Sequence, residues 1–292
     1  TGFNYDSLKE IALEKTFSAF PLRGLTLSSE IHNKVRYLQS HNIAAIKKGN
    51  SNPDEYILFM AHWDHLGVID SAQPGENRIM NGAVDNATGV AAILEFAKRF
   101  SEIETDRSIM FLAVTLEESG LLGSEYFAKY PPVDLANIVA GFNYDGILPT
   151  GLTNDMVVVG YGASELEDLL ENELAQSGRY VNPDPNPEKG YFYRSDHISF
   201  AKRGVPMLYA DGGFDLVAGG KEAGFLIEEE YRVDAYHGVA DEYDESWDLE
   251  GLNQSIDVIF NISNDLANSQ QWPNWYDGNE FKSIRDASRE GK

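Results

Sequence analysis

The sequence predicts an α/β fold, with a mixed, mostly parallel central sheet flanked by helices. Three observations predict it. Apolar runs of strand length alternate with amphipathic runs of helical length. Three successive runs stop at His, Glu-Glu and Asp, which is how open α/β sheets build sites at the carboxyl ends of their strands. The 292 residues, 42% hydrophobic and 12% aromatic, suffice for a sizeable core and exclude wholesale disorder.

Residues 5–17 begin with Tyr5-Asp6-Ser7 and carry apolar residues at helical spacing, which predicts an N-terminal helix. Strand-like patterns follow at 25–29, 35–38 and 42–47. After the turn cluster 49–54 comes Tyr56-Ile57-Leu58-Phe59-Met60, a buried strand expected to form a hairpin with 42–47. It runs into Ala61-His62-Trp63-Asp64-His65, and 67–82 is polar loop. A glycine-punctuated lead-in, Asn81 to Gly89, opens a helix with Val90, Ile93, Leu94 and Ala97 on one face; Asp85 or Asn86 would serve as its cap. The strand 108–115 ends at Glu117-Glu118 and is followed by a helix over 121–130; the strand 138–143 ends at Asp145. A strand at 156–159 and a helix at 164–177 precede the Pro-rich 182–187, read as an extended surface loop. Ser195-Asp196 opens a short helix, 205–209 is a core strand, 236–242 a loop and 255–266 a closing helix. The Trp-bearing tail from 270 is expected to wrap the surface or fray. Residues 1–50 are read as a helix and strands joining the main domain, 51–292, in one compact body.

A formal charge of −24 argues against nucleic acid or an anionic membrane as partner, since both would be repelled. No apolar run approaches the roughly 18 residues of a membrane span, so no insertion is expected. The absence of cysteine excludes disulfides, thiolate zinc sites and cysteine nucleophiles. The opening Thr1-Gly2-Phe3-Asn4 has no initiator Met, and the chain is expected to be a processed or trimmed piece of something longer.

Six histidines are available: His32, His41, His62, His65, His197 and His237. A His beside an Asp can be a plain hydrogen-bonded pair. Imidazole and carboxylate donors gathered at strand ends instead suit Zn²⁺, with Mn²⁺ or Co²⁺ as substitutes. Two His and three carboxylates, one of them bridging, would make a two-metal site, with one Glu left over as general base.

His62-x-Asp64, Asp85 before Asn86-Ala87-Thr88-Gly89, Glu117-Glu118, Asp145 in Asn143-Tyr144-Asp145-Gly146 and a late His237 resemble, in order and spacing, the co-catalytic zinc aminopeptidases of the M28 peptidase family. Ser195-Asp196-His197 with Gly204-Val205-Pro206 resembles a further signature of that family, and the resemblance covers roughly 35–268. The first 50 residues resemble the segment that returns from an inserted protease-associated domain in larger, bacterial members. The resemblance implies a zinc-exopeptidase-like, three-layer sandwich of the phosphorylase/hydrolase type and cleavage of the first peptide bond of peptides with a free N-terminus. It implies that Asp85 bridges two zincs, with His62 and Asp145 completing one and Glu118 and His237 the other. Glu117 would be the general base, Asp64 would orient His62 through its other ring nitrogen, and Tyr193 would stand near the oxyanion. The Asp85–Asn86 peptide is expected to be cis, and the protein to be periplasmic or secreted.

The remaining candidates have plainer readings. His65 is read as supporting or structural, His32 and His41 as surface or core residues, and Asp196 with His197 as a structural cap. Asp241, Glu242, Asp244 and Glu245 read as a solvated acidic loop, and Phe192, Tyr193, Phe214 and Phe225 as an apolar pocket wall. Three alternatives share the fold. A glutaminyl-cyclase-like acyltransferase would use one zinc, a carboxypeptidase would need a cation such as Arg194 or Arg203 for the substrate carboxylate, and a non-catalytic binding module would have lost ligands that this chain retains.

Overall fold

The structure, a computed structural model, describes residues 4–21, 24–35, 37–69, 73 and 75–291. The chain divides into two units, 1–39 and 40–292. In the first, helix α1 (Tyr5–Ala12) starts where the Asn4 side chain accepts a hydrogen bond from the Ser7 amide at 3.1 Å. It is shorter than expected. The strand expected over 25–29 does not form: the backbone there is irregular and Leu27 is 94% exposed. A strand requires a neighbour for its N–H and C=O groups, and none of the described residues of 1–39 supplies one. The expected strand over 35–38 lies partly outside the described residues, as does the loop over 67–82.

Among the described residues, the second unit is built on nine strands: β1 (Ile43–Lys47), β2 (Asn52–His62), a small ribbon of β3 (Gly67–Val68) with β4 (Ile79–Met80), then β5 (Arg107–Val114), β6 (Ile138–Tyr144), β7 (Asp155–Val158), β8 (Tyr180–Pro183) and β9 (Met207–Asp211). Seven of them form one sheet in the order β1-β5-β2-β6-β9-β7-β8. Only the β1/β5 and β7/β9 pairs are antiparallel, so the mixed, mostly parallel sheet is as the sequence predicts. Helices α2 (Gly89–Ser101), α4 (Leu166–Gln176) and α7 (Glu250–Ala267) supply the core on one face. Helices α3 (Leu122–Lys129) and α5 (His197–Ala201) cover the other, with Trp275 and Phe281 of the tail.

Strand β2 explains the two cores. Its side chains alternate, so Ile57, Phe59 and Ala61 join one core while Tyr56, Leu58 and Met60 join the other. A strand buried on both faces must be apolar throughout, which is why this run lacks polar alternation. Phe59 stacks on Phe96 of α2 at 4.4 Å between centroids. Each such buried side chain contributes about 1.5–3 kcal/mol.

Three expectations are corrected. First, 42–47 and 56–60 are not a hairpin: β1 pairs with β5, and β2 lies on the far side of β5. The intervening turn crosses the start of β5, where the amides of Asn50 and Asn52 bond the carbonyls of Thr105 and Asp106. Gly49 permits the crossing, because a Cβ there would lie 2.3 Å from the Asp106 carbonyl oxygen. Second, Asn182 and Pro183 are not loop but the end of the edge strand β8, a place where a missing N–H is tolerated. Third, the tail neither frays nor merely wraps: Trp275 is 1% exposed, donates its indole N–H to the Gly204 carbonyl at 3.1 Å, and leads to helix α8 (Lys282–Arg289). Helix α6 (Gly220–Asp234) was not anticipated.

Candidate metal centre

The centre lies at the carboxyl ends of β5, β2 and β6, adjacent in the sheet. His62, 1% exposed, ends β2 opposite Val114 of β5. Its Nε2 is 3.1 Å from Asp145 Oδ1 and 3.2 Å from Asp85 Oδ1. Burial alone would depress the His62 pKa, but Asp145 and Asp85 outweigh it and hold it well above the usual value. On the other ring nitrogen, the Asp64 carbonyl oxygen is nearer, at 3.1 Å, than the Asp64 carboxylate, at 3.9 Å. That carboxylate instead accepts the Glu117 amide at 3.1 Å.

Asp85 sits on a tightly folded segment. Gly82 has φ +64°, and a Cβ there would meet the Asp85 carbonyl oxygen at 2.4 Å. The Asp85–Asn86 peptide is cis, as the sequence resemblance implied. The cap reading belongs to Asn86, whose Oδ1 accepts the amides of Gly89 (3.1 Å) and Gly146 (3.2 Å) while its Nδ2 donates to the Tyr144 carbonyl. The Asp85 carboxylate is left for imidazoles: Oδ1 faces His62, and Oδ2 lies 3.2 Å from His237 Nε2. Burial would raise the Asp85 pKa, but the contacts with His237 and His62 prevail and hold it far below the usual carboxylate range.

Glu117 and Glu118 follow β5 through Leu116, which is held at φ +58°. Glu118 Oε2 is 3.4 Å from His237 Nε2, and Glu118 Oε1 is 2.8 Å from His65 Nδ1. His237 itself has φ +56° and stacks on Tyr236 at 3.9 Å. Left-handed backbone at two non-glycine positions flanking one site marks conformations held by their surroundings. Burial first, and then Asp145, push the Glu117 pKa well above the ordinary carboxylate range. Despite the close approach of His65 to Glu118, neither ring nitrogen of His65 nor Glu118 Oε1 forms a hydrogen bond of good geometry, and donor atoms of His62/Asp85/Asp145 and of His65/Asp85/Glu118 each gather within 4.8 Å. A neutral-imidazole and carboxylate set with orphaned donor atoms fits a zinc-type ion.

Residues 42–263 match the sequence model of Peptidase family M28. The chain belongs to peptidase family M28. Leucine aminopeptidase 2 of Arthroderma otae is 25% identical over 237 residues, 75% of this M28 chain and 43% of the relative. The chain thus spans less than half the length of that curated relative. Among solved structures, an aminopeptidase from Aneurinibacillus sp. strain AM-1 superposes with a TM-score of 0.56 at 23% identity, covering 80% of this chain and 49% of the other. Glutaminyl cyclase of Porphyromonas gingivalis superposes with a TM-score of 0.54 at 19% identity, covering 77% of each chain. At such identities the likeness establishes the fold, the zinc-exopeptidase sandwich, and no more.

Several residues of this M28 chain sit where its sequence did not place them. Asp241 is not in a solvated loop: it is 2% exposed, and its carboxylate accepts the amides of Val84 (2.8 Å) and Asp85 (3.1 Å) and the Tyr231 hydroxyl (3.2 Å). Glu242 accepts from Asn77 and Asn81, while Asp244 and Glu245 are exposed. Asp196 makes no side-chain cap at α5. Its neighbour Ser195 matters instead, donating to Asp145 Oδ2 at 2.5 Å while accepting from Asn143 Nδ2 at 2.8 Å. His197 is wholly buried between Phe192 and Tyr209, and burial drives its pKa down to about 3.

A cavity of about 570 Å³ opens over Asp85, Glu117, Glu118, Asp145 and His237. Phe214 and Tyr193 line it, whereas Phe192 does not, and Phe225 stacks behind Phe214 at 4.8 Å. The hydroxyl of Tyr193, expected near the oxyanion, donates to Glu280 at 2.9 Å. Tyr236 is the phenol the sequence reading missed: burial, followed by Asp85, Asp145 and Glu118, pushes its pKa up and keeps it a donor. Of the two expected cations, Arg203 forks onto Glu125 (2.7 and 3.1 Å), and Arg194 lines the cavity. No described helix is long and apolar enough to cross a membrane.

Proposed function

We propose that this chain is a zinc aminopeptidase with two Zn²⁺, cleaving the first peptide bond of peptides and acting, as its resemblance implies, in the periplasm or outside the cell. The posture of Asp85 carries the reading, since its two oxygens face different imidazoles, His62 and His237, as a bridging carboxylate does. His62, Asp85 and Asp145 would hold one ion, and Asp85, Glu118 and His237 the other, with Mn²⁺ or Co²⁺ as substitutes. Bound there, the ions would supply Lewis acidity toward the scissile carbonyl and make water acidic enough to attack near neutral pH.

The rest falls to the chain's own side chains. Glu117 shares its carboxylate with no imidazole of the cluster, so it is the group free to take the proton of the attacking water and return it to the leaving amine. Its raised pKa makes it a good proton carrier, and positive charge in the cluster would draw that pKa back toward working pH. Asp64 fixes this base by accepting its backbone amide. Ser195 fixes Asp145 in the same manner. Tyr236 takes the oxyanion role in place of Tyr193, as a neutral donor beside the cluster. Ile147, Val157 and Phe214 give the cavity an apolar wall suited to an apolar first side chain.

The test is hydrolysis of leucine p-nitroanilide beside its N-acetylated twin, with chelated protein before and after added Zn²⁺. Zinc-dependent cleavage of the free amine alone is expected. Glu117→Gln should then lower turnover by about 10²–10⁴-fold while zinc stays bound. Cleavage of neither compound with two zincs bound would sink the reading.

A further inference from the structure

The cavity above the cluster is crowded with acids, and the chain as a whole carries a formal charge of −24. In such a setting a guanidinium finds a carboxylate easily. Arg232 has done so: it pairs with Glu228 and donates to the Tyr191 hydroxyl at 2.5 Å. Arg203 has done so with Glu125. Arg194 has not. It lines the cavity and stacks over Tyr191 at 5.5 Å, yet it makes no ion pair or side-chain hydrogen bond with any described residue.

Its backbone is fixed from both sides, while its side chain is exposed. The Arg194 amide bonds the Tyr191 carbonyl at 3.0 Å, and the next residue, Ser195, is tied to Asp145 of the cluster. Arg194 is close enough to the centre for its charge to act on both Tyr236 and His237. The guanidinium is thus an uncompensated fork, exposed at a cavity whose only other lining Arg or Lys is already neutralised. The chemical partner of such a fork is a carboxylate, which it grips with two parallel hydrogen bonds.

We infer that Arg194 anchors a carboxylate carried by the part of the substrate beyond the scissile bond. The preferred substrates are then short peptides whose free C-terminus falls within the cavity, or peptides with an acidic residue there. This deepens the aminopeptidase reading and rests on it. The size agrees. A peptide whose amine lies at the cluster carries the carboxylate of its second residue about 7 Å along the chain. A cavity of about 570 Å³ is of small-molecule scale and has room for such a peptide. An acidic cavity without a free cation would repel that carboxylate; Arg194 reverses the sign locally.

The experiment compares kcat/KM of the zinc-loaded full chain for Leu-Gly, Leu-Gly-amide and Leu-Asp-amide, in the parent, Arg194→Ala and Arg194→Lys. The parent should favour Leu-Gly over its amide by about tenfold or more. Arg194→Ala should collapse that ratio toward one, mainly through KM, and Arg194→Lys should restore part of it. A merely structural role would lower all three substrates together and leave the ratio standing. Preference for Leu-Asp-amide over Leu-Gly-amide that depends on Arg194 would assign the fork to an acidic side chain as well. A ratio near one in the parent, or one that Arg194→Ala leaves unchanged, overturns the inference. Calorimetric binding of Leu-Gly and Leu-Gly-amide to Glu117→Gln, with and without Arg194→Ala, separates this from failure of the activity. If nothing is cleaved but only the acid binds, and binds through Arg194, the carboxylate site stands and the aminopeptidase reading falls.

Discussion

Asp241→Ala is the most informative single change in the protein, because it removes an unsuspected support without replacing any proposed ligand. The Asp241 carboxylate accepts the amides of Val84 and Asp85, both in buried residues, and the half-buried Tyr231 hydroxyl. Truncation leaves two buried amides without an acceptor, at about 1–3 kcal/mol each. The tyrosine can turn to water and adds little. Relief of a buried charge offsets part of the loss, so the metal-free fold should lose about 2–4 kcal/mol. For a chain of this size that corresponds to a fall in Tm of roughly 3–7 °C. Asp241→Asn keeps one acceptor and should lose about half as much. The second effect is on the metal: Asp85 would be freed at its own backbone, and zinc affinity should fall about 10–100-fold, as for other supports of ligating groups. Thermal denaturation in chelator measures the first effect, and competitive zinc titration the second. A Tm within about 2 °C of the parent would refute the claim that these amides depend on Asp241.

Three other expectations follow from the same geometry. His197, buried without partners and with its pKa driven down to about 3, is neutral in the fold, while the unfolded chain protonates it below about 6.5. Its contribution to stability is therefore complete above pH 6.5 and is lost as pH falls from there toward 3; His197→Phe, which keeps the packing against Phe192 and Tyr209, should flatten denaturant stability across that window by one proton's worth of slope. Ser195→Ala removes the donor on Asp145 Oδ2 and the acceptor of the buried Asn143 side-chain amide, so it should weaken zinc binding about 10–100-fold in titration and cost the metal-free fold about 1–3 kcal/mol in thermal denaturation. In metal analysis at saturating zinc, His237→Ala should retain one equivalent, while His65→Ala should retain two; the opposite pattern would exchange their assignments.

The site was legible where its chemistry is local. His62, Glu117, Glu118 and Asp145 each stand at or just after the end of an apolar strand, so a run of a few residues announces both the strand and the group it delivers. Asp85 was legible by its glycine-flanked lead-in to a helix. The supports were not. Asp241 serves amides 156 and 157 positions earlier, and Ser195 serves a carboxylate 50 positions earlier, and no local period encodes pairings at that range. Helix α6 escaped for a different reason: Gly224 is its only buried residue, so it presents no apolar stripe to read. The crossing of 49–54 over β5 escaped because a turn cluster states only that the chain bends.

The two imidazoles at Glu118 show why residue type and order leave a ligand set incomplete. Sequence spacing set His65 aside as supporting, yet its Nδ1 is the nearer one, at 2.8 Å from Oε1 against 3.4 Å from His237 to Oε2. Distance alone would exchange them. Under the proposed two-ion reading His237 is preferred, because its Nε2 lies within 3.4 Å of both Asp85 and Glu118, whereas His65, although its donor atom gathers with both carboxylates within 4.8 Å, is in close contact with Glu118 alone. His65, 8% exposed, then faces the opposite oxygen of Glu118, in close approach but without a formed hydrogen bond. Each proposed metal position thus has one strand-end carboxylate whose other oxygen faces a side chain outside the ligand set, Ser195 for Asp145 and His65 for Glu118, a juxtaposition that emerges only from the folded backbone.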